Sequence, residues 1–205
     1  MTKTKDIPAE EKILEAARQV FENKGMAGAR MQEIADEAKI NKSLLHYYYR
    51  SKQKLFEAVF KSAFNKLAPQ INTILNSDQS ICHKIKNFSK NYTSFMINHP
   101  YLPNFILQEL NRNPEFVKEL ISTKTFPSMK NFQNQIKEAV AEKKIRDIEA
   151  EQLFINILSL NIFPFVAAPL IKGFINANDK QYKAILETRK TEIADFIIQS
   201  IKIQS

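Results

Sequence analysis

Lys42, Ser43, His46 and Tyr47 are the residues in this sequence whose types and spacing most clearly suggest a chemistry. At about 100° per residue they fall on one side of a helix, with Leu44, Leu45, Tyr48 and Tyr49 on the other. Leu45 and Tyr49, one turn apart, can anchor such a helix and leave the polar side free. A DNA major groove about 12 Å wide admits one helix, and its base edges offer acceptors within reach of Lys42. Ser43 is small enough to let the backbone approach closely. His46 and Tyr47 can donate to phosphate oxygens, contacts that set register rather than sequence preference. Lys52, at the start of the next helix, joins a cation to free backbone N–H groups and so suits a phosphate. Gln32, in the first turn of the preceding helix, can reach a base or a phosphate. For Tyr48 and Tyr49, plain packing is the expectation.

The elements that must position these groups form a helix-turn-helix. A first helix is expected over about 9–24, with Pro8 at its start and Gly25 just past its end. Its apolar stripe is Ile13, Ala17, Val20 and Phe21. A short helix over about 31–38 buries Ile34, Ala35 and Ala38, a turn follows at Lys39–Asn41, and the polar-aromatic helix runs over about 42–49 with Asn41 as N-cap. A fourth helix starts after Ser51 and carries Leu55, Phe56, Val59, Phe60, Ala63, Phe64 and Leu67 on one face. Further helices are expected over about 81–98, 103–111, 114–143 (with a break at Pro127), 149–175 (kinked by Pro164 and Pro169) and 179–203. The fold class is therefore all-α, with a helix-turn-helix domain over 1–66 and a larger helical domain over 67–205.

Composition narrows the function. The formal net charge is +8, which favours an acidic partner, and residues 39–54 hold Lys39, Lys42, Arg50, Lys52 and Lys54 with no Asp or Glu. Only Gly25, Gly28 and Gly173 occur, so no Gly-rich nucleotide-cradling loop can form. No His, Cys, Asp and Glu cluster has metal-site spacing and no nucleophile elbow appears, so neither an enzyme nor a metal or other cofactor is expected. One cysteine, Cys82, forbids an internal disulfide, and a polar N-terminus shows no signal peptide; both point to a cytoplasmic protein. The apolar stretch Phe154–Ile171 contains Asn156, Asn161, Pro164 and Pro169 and reads as a buried helix rather than a membrane span.

The order Glu11–Ala17, Phe21, Gly25, Ile34-Ala35, Ala38, then Lys42, Tyr47-Tyr48-Tyr49-Arg50-Ser51-Lys52 and Leu55 resembles the N-terminal domain of TetR-type (tetracycline-repressor-like) transcriptional regulators. The resemblance covers about residues 8–60. It implies an all-helical homodimer that binds palindromic operator DNA and is released by a small-molecule effector, most simply as a repressor. Carried over residue by residue, it implies DNA contacts at Gln32, Lys42, Ser43, His46, Tyr47 and Lys52, with Leu44 near a base. Three positions depart from the family pattern. Lys39 stands where the turn usually has Gly, His46 replaces a common Tyr, and Ala29-Arg30 replace the usual Thr, which gives Arg30 access to a phosphate.

In the C-terminal half, the many phenylalanines can line an apolar cavity in which a few polar groups orient a ligand. The candidate effector-binding residues are Tyr92, Phe95, His99, Phe105, Gln108, Asn111, Phe132 and Asn156; for any one phenylalanine, plain core is the competing reading. A buried Asn can fix register at a dimer seam. The resemblance pairs the last two helices with their twofold mates, which places Asn161, Phe165, Ile193 and Ile197 in the dimer interface and leaves Asn156 open to either role.

Overall fold

The computed structural model describes residues 8–100, 102–103 and 114–203. Among these residues the ordered elements are helices and no strand occurs: α1 Ala9–Gly28, α2 Met31–Glu37, α3 Lys42–Tyr48, α4 Lys52–Asn76, α5 Ile81–Asn98, α6 Pro114–Ile121, α7 Lys130–Ala141, α8 Ala150–Val166, α9 Ala168–Ile175 and α10 Asp179–Ile201. The fold is all-α. The helix expected over 103–111, and with it the candidates Phe105, Gln108 and Asn111, lies outside the described residues.

The chain divides into two compact units, residues 1–65 and 66–205, with the division inside α4. In the first, Ile13, Ala17 and Phe21 from α1 pack with Ile34, Ala35, Leu45, Leu55 and Phe56, and the Phe21 and Phe56 rings meet edge-on at 4.5 Å. Gly25 interrupts α1 rather than following it. Its φ of 65° and ψ of 174° lie in a region that is essentially closed to residues with a Cβ, and the Ala29 N–H returns to the Gly25 carbonyl at 3.2 Å.

In the second unit α10 lies along α5, α8 packs on both, α7 packs on α5 and α8, and α9 packs on α8. The core comes from Ile85, Phe88, Tyr92 and Met96 of α5, Phe132 and Ile136 of α7, Leu153 and Ile157 of α8, and Ile193, Ile197 and Ile201 of α10. Ser80 and Asn178 cap α5 and α10, each accepting an N–H three residues on. Lys84 is buried and donates to the Leu75 carbonyl at 2.7 Å, in the last turn of α4, where a cation is favoured. Burial holds its pKa below the usual lysine value, with Asp78 opposing.

Prolines bear on three of the helix boundaries. α4 continues through Pro69 to Asn76. The break expected at Pro127 within 114–143 is present, with Pro127 in the connection between α6 and α7. The helix expected over 149–175 bends by 75° between α8 and α9. That bend falls at Ala167, just before Pro169; Pro164 stays inside α8. Pro164 has no N–H for the Leu160 carbonyl four residues back. The Arg189 guanidinium of α10 donates there instead, at 2.9 Å, and the Tyr182 hydroxyl donates to the Pro164 carbonyl at 2.7 Å.

Candidate DNA-binding surface

The geometry of α3 begins at the turn before it. Lys39 is left-handed, with φ 56°. Its N–H bonds to the Asp36 carbonyl at 3.1 Å, and the Ile40 N–H to the Ala35 carbonyl at 3.0 Å. These two bonds are the Schellman closure of α2, with Lys39 where glycine is usual. The Asn41 side chain then accepts the Leu44 N–H at 2.6 Å and starts α3. Leu45 is fully buried. Tyr49 is buried too, its hydroxyl donating to Glu10 Oε1 at 3.0 Å. Burial, then the adjoining Glu10 carboxylate, pushes the Tyr49 pKa well above the usual phenol value, so it stays a neutral donor.

With α3 fixed by Leu45 and Tyr49, the side chains of Lys42, Ser43, His46 and Tyr47 are exposed together and Leu44 is half-buried. Tyr47 is 81 % exposed, an unusual cost for a large aromatic group unless a partner covers it. Tyr48 corrects an expectation: it is 40 % exposed and meets the Tyr47 ring edge-on at 5.7 Å instead of packing inside. The clue was in the sequence, since three successive tyrosines on a helix cannot all point to one side.

Arg30 and Gln32 are exposed at the start of α2. The Gln32 amide donates to Asp36 Oδ1 at 2.8 Å, and the Arg30 N–H donates to Glu33 Oε2 at 3.4 Å. Lys24, 3.0 Å from Glu33 Oε1, holds that carboxyl below the usual carboxylate range. Lys52 is placed differently from the other cations. Its ammonium is turned onto the protein's own backbone, donating to the carbonyls of Ala29 at 3.0 Å and Ala27 at 3.3 Å.

Residues 13–59 match the family described as bacterial regulatory proteins, tetR family. The chain is 24 % identical over 162 residues to "Probable HTH-type transcriptional regulator YttP" of Bacillus subtilis (strain 168), covering 78 % of each protein. The N-terminal unit thus resembles the DNA-binding domain of tetR-family regulatory proteins. The chain is also 29 % identical over 100 residues to the HTH-type transcriptional repressor NicS of Pseudomonas putida, covering 47 % of this chain and 46 % of that protein. The solved structure of a TetR/AcrR-family transcriptional regulator from Thermobifida fusca YX-ER1 shares the fold with a TM-score of 0.65 at 17 % identity, covering 91 % of this chain and 96 % of that one. The match of residues 13–59 and the likeness to these curated regulators support a DNA-binding transcriptional regulator.

The regulator's second unit places the remaining candidates. Tyr92 is buried, and its ring stacks on Phe88 at 5.4 Å; desolvation raises its pKa. Phe95 is half-buried with its ring 4.3 Å from the His99 imidazole. Phe132 lies fully buried in the core. Asn156 is exposed on the outer side of α8, beside Ile155 and Ser159, so it cannot orient a buried ligand from there.

The four residues expected at the dimer seam are corrected together. Asn161, Phe165, Ile193 and Ile197 are already buried within one chain, by the packing of α5, α8 and α10. Asn161 is 2 % exposed. Its amide donates to Ser89 Oγ at 3.2 Å and to the Ile157 carbonyl at 2.7 Å, and its oxygen accepts from Thr93 Oγ1 at 3.2 Å. Its partners are therefore internal. Apolar side chains that face outward nearby include Ile155 and Phe163 of α8, Leu170, Phe174 and Ile175 of α9, and Ile185 and Phe196 of α10. Among the described residues no His, Cys, Asp and Glu group could hold a metal ion. No single described helix is long and apolar enough to cross a membrane; α8 and α9 pass that test only as a bent pair.

Proposed function

We propose that the protein is a homodimeric repressor that binds a palindromic operator through α3 and is released by a small, largely apolar effector held in its second unit. The observation that carries the DNA contact is the exposure of Lys42, Ser43, His46 and Tyr47 on one side of a helix whose other side is fastened by Leu45 and Tyr49. Lys42 reads base edges, His46 and Tyr47 hold phosphates, and Arg30 and Gln32 add contacts from α2. Two copies of α3, about 34 Å apart, enter successive major grooves. NicS, a repressor by name, supports the sign of regulation. The aromatic group around Phe88, Tyr92 and Phe95 supports an apolar effector. An effector acts by binding better to a conformer whose α3 spacing no longer matches the operator. The cysteine usage and the absence of any long apolar helix among the described residues support a cytoplasmic setting.

A fluorescence-anisotropy titration on DNA from upstream of the protein's own gene tests this reading. Binding should tighten steeply as salt falls, and Lys42→Ala should change preference at one or two base positions by about 1–3 kcal/mol each. No binding to any such fragment at low salt, or a Lys42→Ala protein with unchanged preference, would count against the contact map.

A further inference from the structure

We infer that Lys52 is a positioning residue for operator binding: its ammonium clamps the α1–α2 connection and so sets where Arg30 and Gln32 meet DNA. The inference rests on the reading that Arg30 and Gln32 face DNA, and it assigns Lys52 a part different from that of a phosphate ligand.

Several observations converge on the segment from Gly25 to Arg30. α1 ends there without a basic residue in its last turn, its closing bond running from the Ala29 N–H to the Gly25 carbonyl, so its last carbonyls need donors from elsewhere. Lys52 supplies them across the domain, donating to the carbonyls of Ala27 and Ala29, 25 and 23 residues away in sequence. A cation at a helix C-terminus is favoured by the dipole as well as by the hydrogen bonds. Gly25 makes the bend that brings these carbonyls round. Ala29 is 2 % exposed, so the connection is held by its side chain on one side and by Lys52 on its carbonyl. Arg30 is the next residue, and its N–H begins α2 against Glu33.

Lys52 is also the first residue of α4, directly after α3 and the short 49–51 connection. One side chain therefore joins the end of the recognition helix to the start of α2. Loosening it lets α2 and α3 shift relative to each other, which misplaces Arg30 and Gln32 although neither touches Lys52. An ammonium already half-buried on two carbonyls has little left to give a phosphate. The exposed cations Arg30 and Lys42 are placed to displace counterions.

Lys52→Met keeps the apolar stem and removes the ammonium. In the DNA-free protein, hydrogen exchange at the Ala29 and Arg30 amides should become about tenfold faster, while the Leu45 amide, bonded to the Asn41 carbonyl, keeps its rate. Lys52→Arg should restore slow exchange. On operator DNA, log K is plotted against log salt for Arg30→Ala and for Arg30→Ala with Lys52→Met. The two slopes should agree, because Lys52 itself releases no counterion. A further loss of about 0.9 in slope, the contribution of one phosphate contact, would overturn the inference, as would unchanged exchange at Ala29 and Arg30. If Lys52→Met does not fold, Lys52→Gln takes its place. Its amide can still reach one carbonyl and should give intermediate exchange; wild-type exchange would again overturn the clamp. The exchange measurement needs no DNA, so a chain that bound no operator would fail the reading of Arg30 and Gln32 while Lys52 was still decided.

Discussion

Lys39 shows how much one backbone angle can carry. The turn that separates α2 from α3 needs a left-handed residue, and the sequence offers lysine there with φ 56°. An L-residue in that region costs roughly 1–2 kcal/mol, through the approach of its Cβ to the following carbonyl. Both closing bonds, from Lys39 to Asp36 and from Ile40 to Ala35, are nevertheless made. Substituting glycine removes the steric cost but adds chain entropy to the unfolded state, so the gain is partial. Lys39→Gly should be more stable than Lys39→Ala by about 1 kcal/mol in urea unfolding. Both variants lose the same charge, so the difference isolates the backbone. A Lys39→Ala protein as stable as Lys39→Gly would mean that residue 39 is not left-handed in solution. The same scale explains Tyr47 and Tyr48. Each sits on the exposed side of α3 with its phenol outward, while Tyr49, the next residue, is buried and bonded to Glu10.

At the scale of the helix, Pro164 and Arg189 act as a pair. Proline inside α8 leaves the Leu160 carbonyl without its helical donor, and a residue of α10 supplies one. Arg189→Met keeps most of the stem and should cost about 1–2 kcal/mol, since the bond is charge-assisted but only partly buried. Restoring the helical donor with Pro164→Ala should make the second loss smaller, and thermal unfolding of the four proteins of that cycle reads the coupling. Additive losses would show that Arg189 stabilises by packing alone. This pairing also marks where the sequence stopped being legible. The first unit could be read because its helices are short and two-sided: Leu45 and Tyr49 repeat at one turn, and Lys42, Ser43, His46 and Tyr47 fall on the opposite side of α3. α5 and α10 start where expected, and in the structure Ser80 and Asn178 cap them. α8 is apolar nearly all round, so its periodicity does not separate the side facing α5 from the side facing outward, and Asn156 and Asn161 exchanged places as a result. Nor does a list of donors reveal the bonds of Lys52, because its two acceptors are backbone carbonyls 23 and 25 residues away in sequence.

For the whole molecule the decisive quantity is how many recognition helices meet DNA at once. The outward side chains of α8 to α10 include Phe163 at 57 %, Phe196 at 62 % and Phe174 at 81 % exposure. Large apolar groups left exposed on consecutive helices suit a surface that a partner covers. In the proposed dimer a second copy of the chain covers it, since an operator read by two equivalent α3 helices would need a twofold axis. Binding through one α3 alone forfeits the advantage of a tethered second site, which can raise overall affinity by about 10²–10⁴-fold. Phe196→Glu places a carboxylate in that surface without touching the core residues Ile193 and Ile197 on the same helix. The variant should keep its helical circular dichroism and sediment as a monomer. Its operator affinity should fall by at least about a hundredfold, with a salt slope near half that of wild type because only one set of phosphates is reached. Half-length DNA carrying a single half-site should then bind the variant and the wild-type protein alike at low protein concentration. A Phe196→Glu protein that still sediments as a dimer would move the interface away from α10. One that is monomeric yet binds the full operator undiminished would show that a single α3, with Lys42 and Tyr47, is sufficient.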